Sequence, residues 1–232
     1  MNILITRPLI ESEDLMEKLF SLGHKIVHIP TLKISAANVS PIDEKKYDAF
    51  IFTSANAIRN LKLINQDTSK ICFCVGSITE KILRQKGYNN TISAGGNINA
   101  LKNIISNSDQ IDKKKSIAYF CGDYISLNLD IELKNEGFQV DKIINYTSKK
   151  ITDLNKENNN IINNHPPDII FIYSKRSAES FTEIVKKYSL NGLMTESRVL
   201  CISEKVLDVL KKSGWKKLEV FHPGEELEKL KV

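Results

Sequence analysis

One pattern organises this chain: an acid, an apolar run, a turn of small hydroxyl residues, then apolar positions at helical spacing. It appears first over residues 48–56. Asp48 opens it, Ala49 to Phe52 are apolar, Thr53 and Ser54 follow, and Ala57, Ile58, Leu61 and Ile64 recur behind them. A short apolar run bounded by turn residues predicts a buried strand, and the spacing after it predicts a helix. The same figure returns 120 residues later, from Asp168 to Ser177, with Phe181, Ile184 and Val185 behind it.

The flanks repeat as well. Residues 2–6 predict a strand closed by Thr6, Arg7 and Pro8. Residues 12–22 predict a helix with Ser12 as N-cap and Gly23 as its stop. Residues 25–29 predict a second strand before Pro30, and 31–37 an extended connector. Strand 116–121, helix 125–136, Gly137, strand 139–145 and connector 146–150 copy that series. In between lie a strand at 71–75, a helix carrying Ile78, Ile82 and Leu83, a stop at Gly87 and a short strand at 91–94. A helix with Leu101, Ile104 and Ile105 follows, capped by Asn97 or Asn99. The later copy reads as strand 198–202, Ser203, Gly214 and strand 217–221, before a terminal helix with Leu227 and Leu230. Residues 155–165 read as a short surface helix or loop.

Strands alternating with helices predict the α/β class, with parallel sheets flanked by helices. Each half of the 232 residues is near the common domain size. Two divisions fit the repeat. A tandem cut falls near residue 113. Alternatively the connectors near 30–37 and 146–150 pair as a two-stranded bridge, so that 38–145 is an inserted domain and 1–35 joins 150–232 as a discontinuous one. The repeat alone does not choose between them.

Composition narrows the picture only a little. The chain is 41% hydrophobic and 26% charged, with a net charge of +5. The charge is mildly basic, and no dense Arg/Lys block with interleaved aromatics appears. This points to a small anionic molecule rather than nucleic acid. No apolar run approaches a membrane span, and no leader pattern precedes the first strand, so the expectation is a cytoplasmic protein without a membrane partner. Cys72, Cys74, Cys121 and Cys201 lie in or beside strand-like runs and read as buried reduced thiols. No second ligand pair completes a zinc site.

Ligands of open parallel sheets bind beyond the carboxyl ends of the strands. Here those ends carry Thr6 and Arg7; Thr53, Ser54 and Asn56; Gly76 and Thr79; Gly122 and Asp123; Ser174 and Lys175; and Ser203. Small hydroxyl residues at helix starts suit anions, although capping alone explains any one of them. A phosphate loop and a G-x-G-x-x-G are absent. His24 and His28 are four apart, but Gly23 and the strand pattern deny them a shared helix face. The residues by themselves reach a two-domain α/β protein with a polar, anion-compatible cleft.

The ordered set of motifs resembles the uroporphyrinogen-III synthase family over nearly the full length. The matching pieces are Thr6, Arg7 and Pro8; Pro30; Asp48 with Phe52 to Asn56; Val75, Gly76, Thr79 and Gly87; Gly137; Tyr146; Ser174; and the block from Ile202 to Gly214. The resemblance implies two flavodoxin-like domains joined by a two-stranded connector. It implies closure of hydroxymethylbilane, a linear tetrapyrrole with eight carboxylates, to uroporphyrinogen III with inversion of ring D, without metal or cofactor. It also implies Tyr146 as the catalytic candidate, and a monomer is expected. The strand-end residues expected to bind this substrate are Thr6, Arg7, Thr53, Ser54, Asn56, Gly76, Thr79, Ser174, Lys175 and Ser203. The chain departs from the family where Cys121, Gly122 and Asp123 replace an Arg-Gly with a basic neighbour, and where Ser203 and Val206 replace Gly and Thr. Arg7, Lys175 and Arg176 are alternative sources of positive charge. Two other readings fit the duplicated halves. A non-catalytic binder of an anionic metabolite predicts binding without turnover. A duplicated receiver domain needs clustered acids where Thr6 and Arg7 stand.

Overall fold

The computed structural model describes residues 1–194 and 196–230. The elements follow one another as β1 (Asn2–Ile5), α1 (Glu13–Ser21), β2 (Lys25–His28), β3 (Leu32–Ala36), β4 (Ala49–Phe52), α2 (Ala55–Arg59) and β5 (Ile71–Cys74). Next come α3 (Ser77–Gln85), β6 (Thr91–Ser93), α4 (Ile98–Ser106), β7 (Ser116–Gly122), α5 (Leu129–Asn135) and β8 (Gln139–Lys150). The chain closes with α6 (Lys156–Asn164), β9 (Ile169–Ile172), α7 (Lys175–Lys187), β10 (Arg198–Cys201), α8 (Glu204–Lys212) and β11 (Leu218–Val220).

The chain divides into two compact units, Met1–Lys33 with Lys149–Val232, and Ile34–Ser148. The first holds a parallel sheet in the order β11-β10-β9-β1-β2. The second sheet runs β3-β8-β7-β4-β5-β6 and is parallel from β8 to β6. β3 lies antiparallel on its edge: Ala37 N–H donates to Asn145 O at 3.0 Å, and Ile151 N–H to Thr31 O at 2.9 Å. The second sheet is therefore mixed. The expected two-stranded pairing of the connectors is present, with β3 lying along the continuous strand 139–150.

The exchange of strands follows from the repeat. Number the strands of one copy 1 to 5. The first unit then takes strands 1 and 2 from the first copy and 3, 4 and 5 from the second. The second unit takes the complement. Both sheets so reach the doubly wound order 2-1-3-4-5. The acid that opens the repeated figure joins the copies. Asp168 N–H donates to Asn2 O at 2.8 Å, and Asn2 N–H returns a bond to Asp168 Oδ2 at 2.6 Å. Asp48 does the same with Ser116, at 2.8 and 3.0 Å.

Each sheet is covered on both faces, which is why its strands read as unbroken apolar runs. In the first unit Leu4, Ile170, Ile172 and Val199 pack under α7 through Phe181, Ile184 and Val185, while Ile3, Ile5 and Phe171 meet Leu19 of α1. In the second, Ile51 and Tyr119 lie under α4 and α5, and Phe50, Phe52 and Phe120 lie under α2 and α3. Phe52 and Phe120, paired across β4 and β7, stack with centroids 5.3 Å apart.

Some expected elements differ. The helix after Ser54 ends at Arg59, because Leu63 leaves the helical path to bridge Ile42. α5 starts at Leu129 rather than 125, and only a turn at Glu228–Leu230 stands for the terminal helix. Ser12 does not cap α1: its hydroxyl donates back to Pro8 O at 2.8 Å. Asn97, and not Asn99, caps α4. All four cysteines are buried and unpaired, and burial pushes the Cys74 and Cys121 thiols up to about 11.

The Asp48 link makes a prediction. Desolvation opposes ionisation of its carboxyl, but the Ser116 N–H and the Lys115 ammonium outweigh it and hold the pKa below the ordinary value of 3.8. A depressed folded-state pKa gives stability that is full above the unfolded value and lost as pH falls through the folded one. The side chain is 42% exposed, so screening keeps the Lys115 ion pair small. Asp48→Ala is expected to cost about 0.5–1 kcal/mol in urea denaturation at pH 7. The gap to the parent should close as the pH falls below the ordinary carboxylate value.

Candidate functional site

In an open α/β sheet the ligand crevice opens where the strand order reverses. In the first unit this point lies between β1 and β9, and in the second between β7 and β4.

At the carboxyl end of β1, Thr6 is fully buried. Its hydroxyl donates to Phe171 O at 2.7 Å, and its carbonyl accepts from the Thr31 N–H at 3.0 Å. Thr6 thus ties β1 to β9 and to the chain leaving β2. Arg7 follows it, with its guanidinium 4.4 Å from the centroid of the Tyr173 ring and Nε 3.3 Å from Glu11 Oε2. His28 Nε2 bonds Arg7 O at 2.8 Å. The Arg7 head is therefore held in place by a ring, an acid and a fixed backbone. Burial of the Tyr173 hydroxyl raises its pKa, the Glu226 charge adds to the shift, and the neighbouring Arg7 opposes it.

Ser174 and Ser203 begin α7 and α8 differently. The Ser174 hydroxyl accepts from the Ser177 N–H at 3.0 Å, and so caps α7. Ser203 occupies the N-cap of α8 but makes no side-chain cap bond. Lys175 is exposed on the first turn of α7.

The second unit repeats the contrast. Ser54 caps α2 by accepting from the Asn56 N–H at 3.1 Å. Gly76 is the N-cap of α3 and has no side chain to offer. Thr79 is buried in the first turn of that helix. Asn56 is buried, and its Oδ1 accepts from Arg59 at 3.2 Å. Thr53 lies with its hydroxyl 3.2 Å from the Tyr119 hydroxyl, whose pKa burial raises.

Tyr146 sits on β8, 9% exposed, in the aromatic cluster with Phe50, Phe52 and Phe120. Its place depends on a bulge. Cys121 pairs with Ile144 but Gly122 with Tyr146, so Asn145 is the extra residue. Asn145 and Tyr146 therefore both turn to the α2 face, where Asn145 Nδ2 donates to Ala57 O at 2.7 Å.

By placement, Thr6, Arg7, Ser174, Lys175 and Ser203 belong to the first unit, and Thr53, Ser54, Asn56, Gly76, Thr79 and Tyr146 to the second. All lie at or just past the carboxyl end of a strand, except Tyr146, which lies within the long β8 opposite such an end. Tyr173, just past β9, and Asn145, within β8, are outside the set that the sequence pointed to. Tyr173 could have been found from its place after the apolar run 169–172, beside Arg7. Among the described residues no group of three or more His, Cys, Asp or Glu could hold a metal ion, and no helix is long and apolar enough to cross a membrane.

A family model described as uroporphyrinogen-III synthase HemD matches residues 13–223. Comparison with curated proteins gives no match. Among solved structures, the uroporphyrinogen-III synthetase of Helicobacter pylori is 18% identical, covers 99% of this chain and 97% of its own, and superposes with a TM-score of 0.64. A mutant uroporphyrinogen III synthase from the extremely thermophilic bacterium Thermus thermophilus is 14% identical, covers 100% and 97%, and gives 0.59. At these identities the two structures speak for the fold alone.

The unequal N-caps separate capping from ligand contact. Ser174→Ala is expected to cost about 1 kcal/mol of stability, because a cap bond is lost. Ser203→Ala is expected to stay within about 0.5 kcal/mol of the parent, because none is. Chemical denaturation of both variants reads the difference.

Proposed function

The chain belongs to the uroporphyrinogen-III synthase family, and from that premise we propose which of its groups carry the reaction. It is a cyclising lyase of tetrapyrrole biosynthesis: it converts hydroxymethylbilane to uroporphyrinogen III, with inversion of ring D and loss of water. The observation that carries this is the family match across residues 13–223. No finding favours the non-catalytic binder.

The chemistry sets two tasks. The first is departure of the substrate's hydroxyl, which leaves an electrophilic azafulvene. Tyr146 is proposed as the acid that protonates this hydroxyl so that it leaves as water. A phenol in water keeps its proton until about pH 10, so tyrosine is a residue type that can donate at neutral pH. The second task is conformational. The substituted carbon of ring D must attack the azafulvene carbon to form a spiro intermediate, whereas the free bilane closes without rearrangement. Holding one conformer is a positioning effect, and such effects supply a large share of a barrier.

The acidic side chains of the substrate give the rest of the site its role. Arg7, with its head already fixed over Tyr173, is proposed to meet a carboxylate. The helix starts without a side-chain cap, at Gly76 with α3 and at Ser203 with α8, suit further carboxylates. Lys175 adds exposed positive charge beside Ser174. Thr6, Ser54 and Ser174 are proposed to act by shaping the strand ends, since their hydroxyls already hold Phe171 O, Asn56 N and Ser177 N. Thr53, Asn56 and Thr79 complete the proposed surface in the second unit. The protein is proposed to work as a cytoplasmic monomer on this small molecule, with no nucleic-acid or membrane partner and no cofactor.

Purified protein given fresh hydroxymethylbilane is expected to release isomer III. Isomer I alone, at the uncatalysed rate, would reject the assignment. Tyr146→Phe is expected to keep the fold by thermal melt and to lower kcat by about 10²-fold. The share of isomer I should rise as spontaneous closure competes. Unchanged turnover would remove Tyr146 from the mechanism.

A further inference from the structure

We propose that Gly122 and Asp123 are positioning residues for the closure reaction, Gly122 by leaving room for the Tyr146 ring and Asp123 by holding its backbone; this rests on the reading of Tyr146 as the acid.

The ring contact comes first. A Cβ placed on Gly122 would lie 2.7 Å from Tyr146 Cε2, 2.7 Å from Cζ and 3.0 Å from the hydroxyl oxygen. Gly122 has no positive φ, so its backbone conformation does not require glycine. What requires it is space: the missing side chain lets the phenol lie directly on the last residue of β7. The atoms in contact are at the far end of the ring, where the hydroxyl is. Ordinary contact begins near 3.4 Å, so any side chain at 122 would move that end by at least about 0.7 Å. A displacement of about 1 Å at a reacting group can cost 10²-fold in rate.

The backbone contact comes from the next residue. Asp123 N–H donates to Tyr146 O at 3.1 Å, and Asp123 Oδ1 accepts from the Ser148 N–H at 2.9 Å. One residue thus holds β8 on both sides of Thr147, immediately after the bulge. A bulge disrupts the ladder locally, and here Asp123 supplies bonds to Tyr146 O and the Ser148 N–H just beyond it. The acid therefore has work at the position where the family pattern has a basic neighbour. Gly122 leaves the room that the phenol occupies, Asp123 fixes the strand that bears it, and Asn145 ties the same segment to α2 through Ala57 O.

The experiment uses the full chain with Gly122→Ala, Tyr146→Phe, the double variant, Asp123→Ala and Asp123→Asn. It reads kcat, KM, the isomer ratio and the thermal melt. Gly122→Ala is expected to lower kcat by about 10–100-fold with KM within about 2-fold, and to raise the share of isomer I. In the Tyr146→Phe background the same change is expected to cost less than about 3-fold more, because the hydroxyl it would displace is already gone. Asp123→Ala should lose turnover, and Asp123→Asn, which keeps an oxygen for the Ser148 N–H, should regain most of it. Native kcat in Gly122→Ala, or a full multiplicative loss in the double variant, overturns the positioning role while leaving Tyr146 in place. Native kcat in Tyr146→Phe overturns the acid assignment and this inference with it. If Gly122→Ala does not fold, the Asp123 pair decides: native turnover in Asp123→Ala, or equal loss in the alanine and asparagine variants, overturns the proposal.

Discussion

The structure depends on two parallel strand pairings, β1 with β9 and β4 with β7. Each joins a strand from one copy of the repeat to a strand from the other. These are the central pairs of their sheets, and neither copy holds both partners. Each pair is closed at its start by the same device, an aspartate whose N–H and carboxylate engage the first residue of the neighbouring strand. Asp48 and Asp168 stand at the head of the repeated figure for that reason. The pairing is what brings Thr6 beside Phe171 and Thr53 beside Tyr119. The strand-order reversal in each sheet follows from it.

The strand ends differ in what they leave unsatisfied. The serines after β4 and β9 use their hydroxyls on their own helices. The residues after β5 and β10, Gly76 and Ser203, do not. Both units share this division, as expected when one turn is present twice. The copies differ in the details. Arg7 has a ring and an acid to hold its head, while at the matching end of β7 the chain uses Gly122 and Asp123 to hold a tyrosine instead.

Much of this was legible in the chain. The apolar runs marked every central strand, because helices cover both sheet faces and leave no polar alternation. The glycine stops and the motif order led to the family. Other features left no local signal. Nothing between Ala57 and Ile64 shows that α2 stops at Arg59, since the deciding contact is Leu63 with Ile42, in a separate segment. Ser12 has the right residue type for a cap, yet its hydroxyl is turned back to Pro8 O. The bulge at Asn145 is invisible because it depends on the register of β8 against β7. Tyr146 entered through the family resemblance, and the room left for it by Gly122 could be read only from coordinates.

The distance along the chain between Asn2 and Asp168, 166 residues, also governs how the protein is made. A ribosome adds about 5–20 residues per second, so β1 emerges on the order of 10 s before the strand that will lie against it. Ile3, Leu4 and Ile5, fully enclosed at the end, spend that interval without their central partner. The second sheet is meanwhile complete on the nascent chain once β8 has emerged. Synthesis thus completes the strands of the inserted unit first and leaves the opening segment without its partner strand until the last third arrives.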